Sequence, residues 1–301
     1  MGLRYDIVDV FTDQPFLGNQ LAVVHGGAEL SSAQCQTLAQ EFGYSESTFP
    51  QPGGPDGYST RIFTPEGEIP FAGHPTLGTA WVLRERDELT STQVTQTCGA
   101  GDITVRFTED LVELSATPRD LAGPVSPAVL GELLASIGLS AQDLAGDAWV
   151  AGCGLSFLHV PVPEDALARA HPTSGAFAPT FSEIRSLPDL GPVHDLLDAV
   201  NLYALVDRSD PFELHARVFV PGAGVAEDPA TGSAAAGLGM VLVARGLLED
   251  GGQYLIRQGR EMGRPSRLLG RVDVADGRAA RCHVAGQVQH VASGEILVPL
   301  S

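Results

Sequence analysis

Apolar and polar residues alternate over residues 4–11, and the alternation resumes over 21–25 after a Gly18-Asn19 turn. Both stretches read as strands. Ser31 or Ser32 can cap a helix running to Phe42 and closed by Gly43. Residues 45–49 and 61–64 read as further short strands. The pattern then changes. From Pro75 the run TLGTAWVLRER is helical, and from Pro229 so is ATGSAAAGLGMVLVARG. Both are small or apolar on most faces of their first three turns, so each should be buried all round. Proline at the favoured first helical position places His74 and Asp228 at the N-caps. Residues 117–127 hold three prolines and little pattern, and read as a crossover. Residues 127–144 read as helix, 148–162 as strand, and 171–190 as loop or irregular helix. Strands are expected near 254–258, 268–274, 281–288 and 295–298, the last returning to the first half.

The two helices belong to a repeat. HPTLGTA at His74 and DPATGSA at Asp228 coincide in Pro, Gly and Ala, with Thr79 facing Ser233. Upstream, RIFTP at Arg61 matches RVFVP at Arg217. The motif starts lie 154 residues apart in a chain of 301. That length suits two domains, each with its own core. The expected fold is α+β, with two pseudo-symmetric domains. Each would be a curved, mostly antiparallel sheet or barrel around a central buried helix, with an active-site cleft between them. The expected division is 1–118, completed by a C-terminal strand at 289–301, and 124–288. A buried helix leaves about four N–H donors unpaired at its start and carries roughly half a positive charge there. Two such starts facing across a cleft would seat a small carboxylate. Gly73, Gly78 and Gly232 would allow close backbone approach to it.

Composition narrows the chemistry. The formal charge is −19, from 37 acidic and 18 basic residues, a field that repels phosphate backbones and anionic lipid. No nucleic-acid or membrane partner is expected. Every basic residue is arginine, so a lysine Schiff base and a P-loop lysine are both excluded. Four scattered cysteines form no CxxC or CxH pair, and neither a metal nor a redox motif is indicated. Reduced thiols fit a cytoplasmic protein. The N-terminal MGLRYDIVDVF lacks a secretory h-region, and the longest apolar helical stretch falls short of the roughly 20 residues of a membrane span.

The plain reading of Asp228 before Pro229 is an ordinary helix cap. The repetition moves His74 and Asp228 towards function, because a cap needs neither the glycine at a fixed offset nor the Thr or Ser after it. Glu46, in YSESTF, shares a strand face with Tyr44 and Thr48. From spacing alone it reads as a solvated surface glutamate. The histidines 25, 159, 194, 215, 283 and 290 lack metal spacing. HPTSGA at His171 mimics the motif, but no buried helix is expected after it.

Five segments, DVFTDQPFLGNQLAVV, EFGYSESTF, RIFTPEGEIPFAGHPTLGTA, EDPATGSAAAGL and QGREMGRPSRL, together resemble the phenazine-biosynthesis PhzF-like isomerase family. That family is similar in fold to diaminopimelate epimerase and proline racemase. The resemblance implies that Glu46 is the proton-transferring carboxylate. His74 and Asp228 then flank the substrate, while Gly73, Gly232 and Ser233 hold it by main chain or hydroxyl. It also implies a cofactor-independent proton shift like that of trans-2,3-dihydro-3-hydroxyanthranilate isomerase, on a small anionic substrate, in a homodimer. Related epimerases place a cysteine at the start of each central helix. Here those stretches read AGHP and EDPA, so two-thiol stereoinversion is disfavoured. An epimerase or racemase without thiol bases, and a non-catalytic small-molecule binder, are the alternatives.

Overall fold

The computed structural model describes residues 2–172, 176–185, 197–209, 211–221 and 226–299. His194, part of the 171–190 stretch and residues 222–225 lie outside the described residues. The fold is mixed α/β and dominated by sheet. The chain divides into two compact units. The first comprises 1–115, 263–267 and 284–301, and the second 116–262 and 268–283.

In the first unit, β1 (Gly2–Val10) pairs antiparallel with β2 (Asn19–Val24), and α1 (Ser32–Phe42) follows. A capping box at Ser31 opens α1, and Gly43 in the left-handed region closes it, as the sequence predicts. Next, β3 (Glu46–Pro52) runs parallel to β2 and antiparallel to β4 (Gly57–Phe63). The short β5 (Glu68–Ile69) leads into α2 (Gly73–Glu85). Finally β6 (Gln93–Cys98), parallel to β4, turns back through β7 (Gly101–Phe107) to β8 (Val112–Ala116). Strand β3 lies between two helices. Its Phe49 face packs with Cys35, Leu38 and Ala39 of α1, while Thr48 faces α2.

In the second unit, β9 (Asp120–Val125) precedes α3 (Pro127–Ser136). The strands β10 (Ala148–Gly152) and β11 (Ser156–Pro161) form a hairpin, followed by α4 (Glu164–Arg169) and α5 (Phe177–Arg185). Next come β12 (Leu197–Asp207), β13 (Phe212–Phe219), the two-residue β14 (Glu227–Asp228) and α6 (Gly232–Ala244). Three strands end this part of the chain, β15 (Gln253–Gln258), β16 (Ser266–Ala275) and β17 (Arg278–Gly286). The last strand, β18 (Val288–Leu297), pairs antiparallel with β1 along its whole length.

Three expectations need correction. The 117–127 stretch is not patternless, because β9 pairs with β10 and slips register at Gly123-Pro124, where proline offers no ladder N–H. The 148–162 stretch is two strands, broken by a turn at Gly154, whose φ of 142° suits glycine. The helix from Pro127 stops at Ser136, with Gly138 left-handed just beyond. After HPTSGA comes α5, which buries Phe177 and Phe181 on one face only.

Each unit holds a helix whose opening turns are buried on every face. Every residue of α2 from Gly73 to Ala80 is buried, and every residue of α6 from Gly232 to Val243. Gly78 lets α2 approach its sheet, since a Cβ there would lie 2.6 Å from Leu21 and 2.9 Å from Val10. Its role is therefore helix–sheet packing, not the ligand approach expected from sequence. The far end of α2 is tied to β1 and β18 through Asp6. Its carboxylate accepts from Arg86 at 2.7 and 2.8 Å, from Ser293 at 2.6 Å, and pairs with His25 at 2.6 Å. Among the described residues no helix is long and apolar enough to cross a membrane.

Candidate active site

In the first unit, three elements bring Glu46 and His74 together. Glu46 opens β3 opposite Leu21 of β2, and its side chain is only 16% exposed. The same face carries Thr48, whose hydroxyl meets Thr79 of α2 at 2.8 Å. That contact fixes the spacing of β3 and α2. The solvated-glutamate reading is thus excluded by burial.

His74 lies inside α2, not at its cap. The N-cap is Ala72, Gly73 and His74 are the first two helical residues, and Pro75 is the third. Its ring is bracketed by β2. Asn19 Nδ2 donates to His74 Nδ1 at 3.2 Å, and His74 Nε2–H donates to the Gln20 carbonyl at 3.3 Å. An amide nitrogen only donates and a carbonyl only accepts, so the ring is the neutral Nε2–H tautomer. Burial pushes its pKa down to about 3, against a small upward pull from Gln20. Glu46 Oε2 lies 3.6 Å from His74 Nε2. That is beyond hydrogen-bond reach, and a neutral imidazole makes no ion pair. The imidazole therefore carries no exchangeable charge above about pH 4.

Behind His74 stands a buried polar network. The single hydroxyl proton of Tyr58 is shared between Gln96 Oε1 at 2.8 Å and the Thr76 carbonyl at 3.2 Å. Gln96 Nε2 donates to Thr76 Oγ1 at 2.9 Å, and Thr76 Oγ1 donates to the Ala72 carbonyl at 2.9 Å. All these groups are satisfied, so the first turn of α2 is held rigidly.

In the second unit, Asp228 is also not a cap. It ends β14, opposite Val218 of β13. Helix α6 starts only at Gly232, with Thr231 as its N-cap and Ser233 as its second residue. Pro229 is outside the helix. Thr231 Oγ1 donates to Asp228 Oδ2 at 2.5 Å, and Gln258 bonds both ends of the turn between them. Neither α2 nor α6 has a side-chain cap bond at its start.

Sequence reading missed Asn19, Gln20, Thr231 and Gln258. Asn19 read only as a turn residue, and Gln258 only as part of a motif. Their roles depend on strands brought beside a helix start from 55 and 30 residues away. Cys153 is buried in the β10–β11 turn, its sulfur 3.5 Å from Met240 of α6.

Comparison with known proteins converges on one group. Residues 8–294 match the family described as "Phenazine biosynthesis-like protein". The chain is 33% identical over 299 residues to the trans-2,3-dihydro-3-hydroxyanthranilate isomerase of Pseudomonas aeruginosa, covering 97% of this chain and 98% of that one. A PhzF-family phenazine biosynthesis protein from Bacillus anthracis superposes with a TM-score of 0.84 at 24% identity, covering 99% of this chain and 100% of that one. A hydroxyproline epimerase from Agrobacterium vitis, with bound trans-4-OH-L-proline, shares the fold at a TM-score of 0.65 and 13% identity, covering 98% and 92%. The likeness to relatives named as isomerases defines an enzyme of the isomerase class. Within that class, the chain belongs to the phenazine biosynthesis-like protein family.

Proposed function

We propose that this isomerase moves a proton between carbons of a small conjugated amino carboxylic acid, without a cofactor, and that Glu46 carries the proton. One observation carries the reading. Glu46 is a mostly buried carboxylate 3.6 Å from an imidazole that is itself locked neutral and occupied at Nδ1. Of the two groups, only the carboxylate can serve as base and then as acid. The step removes a proton from a carbon activated by the π-system, shifts the double bonds, and returns the proton to another carbon on the same face.

In this reading the two motif starts of the repeat are related half-sites for a small anionic substrate. His74 lies against it as a neutral ring, Asp228 orients its amino or hydroxyl group, and the Gly73, Gly232 and Ser233 positions hold its carboxylate. The repeated motif at His74 and Asp228 supports this arrangement. The compound named for the Pseudomonas aeruginosa relative supplies the first substrate to test.

The test is turnover of trans-2,3-dihydro-3-hydroxyanthranilate in deuterated water by the parent and by Glu46→Gln. The parent should shift the double bonds and place the migrated hydrogen, or a deuteron exchanged onto Glu46 before its return, at a new ring carbon. Glu46→Gln should lose about 10²–10⁴-fold in kcat, the usual worth of general acid–base catalysis. Full turnover by Glu46→Gln would refute the assignment. Deuterium at an inverted stereocentre without bond migration would favour the epimerase alternative.

A further inference from the structure

We propose that Gln258 is a positioning residue that holds residues 228–231 out of helix α6, and so sets where the Asp228 carboxylate and the first amides of α6 stand. Local signals favour the opposite. Asp228-Pro229 is a good N-cap and N1 pair, and a helix begun there would pair the Asp228 carbonyl with the Gly232 N–H. The counterpart helix winds early: α2 begins one residue before His74, whereas α6 begins four residues after Asp228.

The side chain of Gln258 takes the place of the missing helical bonds. Its Nε2 donates to the Asp228 carbonyl at 2.7 Å and to Thr231 Oγ1 at 3.0 Å. Its Oε1 accepts the Thr231 N–H at 3.2 Å. Thr231 Oγ1 in turn donates to Asp228 Oδ2 at 2.5 Å. A continuous hydrogen-bonded path thus joins Gln258 to the carboxylate. Gln258 is only 2% exposed, so its amide has no water to exchange these bonds for. Both ends of the clamp hang on one strand, since β13 sets Ala216 opposite Gln258 and Val218 opposite Asp228.

The repeat explains why only one helix start is held this way. Aligning QVTQTCG at Gln93 with QYLIRQG at Gln253 puts Cys98 where the second unit has Gln258. Cys98 turns instead to the Gly101 carbonyl, its sulfur 3.5 Å away. The helix is duplicated but the clamp is not.

The effect on catalysis rests on the reading of Asp228 as a substrate-orienting group, whereas the clamp itself does not. The first test is the crystal structure of Gln258→Leu, which removes all three bonds at similar volume. The expected result is a helix starting at Pro229, three residues longer, with Asp228 at its N-cap. A helix still starting at Gly232 with Asp228 unmoved would overturn the proposal. If Gln258→Leu fails to fold, Gln258→Glu, which keeps the acceptor and loses both donors, carries the same comparison. The second test is kinetic. Gln258→Leu and Asp228→Asn should each raise KM about tenfold or more, with kcat less changed, and the double variant should lose clearly less than the two single losses combined. Additive losses would overturn the positioning role. Unchanged turnover by Asp228→Asn, with a rewound helix in Gln258→Leu, would refute the reading of Asp228 and uphold the clamp.

Discussion

At the scale of single residues, the proposed site sets a neutral imidazole beside a sheltered carboxylate. His74 is fixed on both nitrogens by groups that admit one tautomer, and its burial disfavours the cation. Ring ¹⁵N NMR should therefore show Nδ1 unprotonated and Nε2 protonated throughout pH 5–8. A titration with a midpoint near 6.5, the ordinary histidine value, would contradict the bracket. The second unit repeats this device away from Asp228. Asn201 Nδ2 donates to His159 Nδ1 at 2.9 Å, His159 Nε2–H donates to the Ala151 carbonyl at 3.3 Å, and burial lowers the His159 pKa to about 3. His74 was legible from the repeat. Glu46 was legible only through the family resemblance, because strand alternation gives a face and not its burial. Asn19 was not legible at all, since nothing local says that a turn residue will meet a helix start 55 residues on.

At the scale of elements, both buried helices were legible from their small, apolar faces, and their first residues were not. Proline and a polar neighbour mark a favourable start, but a competing tertiary bond can move it by a turn. Close packing then explains residues that patterning leaves open. A Cβ on Gly237 of α6 would lie 2.9 Å from the Ala151 carbonyl oxygen and 2.9 Å from His159 Nε2. Backbone cannot yield as a side-chain tip does. Gly237→Ala should destabilise the protein by about 1–3 kcal/mol, read as a lower urea midpoint at constant slope. An unchanged midpoint would mean that α6 does not pack this closely on β10.

At the scale of the whole molecule, the buried histidines give stability a definite pH dependence. Both His74 and His159 are neutral when folded and free to charge when unfolded, so below about pH 6.5 the unfolded chain binds more protons. Their contribution is complete above that value and is lost as pH falls from about 6.5 towards 3. Each histidine adds about 1.4 kcal/mol per pH unit to the slope within the window. Denaturant titrations between pH 6 and 4 should show the fall, and His159→Gln should flatten it by roughly half the histidine contribution. At lower pH, Asp6 adds a further loss. Burial alone would raise its pKa, but its bonds to Arg86, Ser293 and His25 outweigh that and hold the carboxyl well below the usual range. The sequence by itself determined the repeated motif, the two buried helices and the lack of lysine chemistry, because each is a matter of composition or of a pattern at fixed spacing. Only the tertiary structure decided where α6 begins, that Glu46 is sheltered and that His74 is neutral. Those outcomes depend on groups distant in sequence meeting in a dry interior, where one side-chain amide or one carbonyl outweighs a local preference.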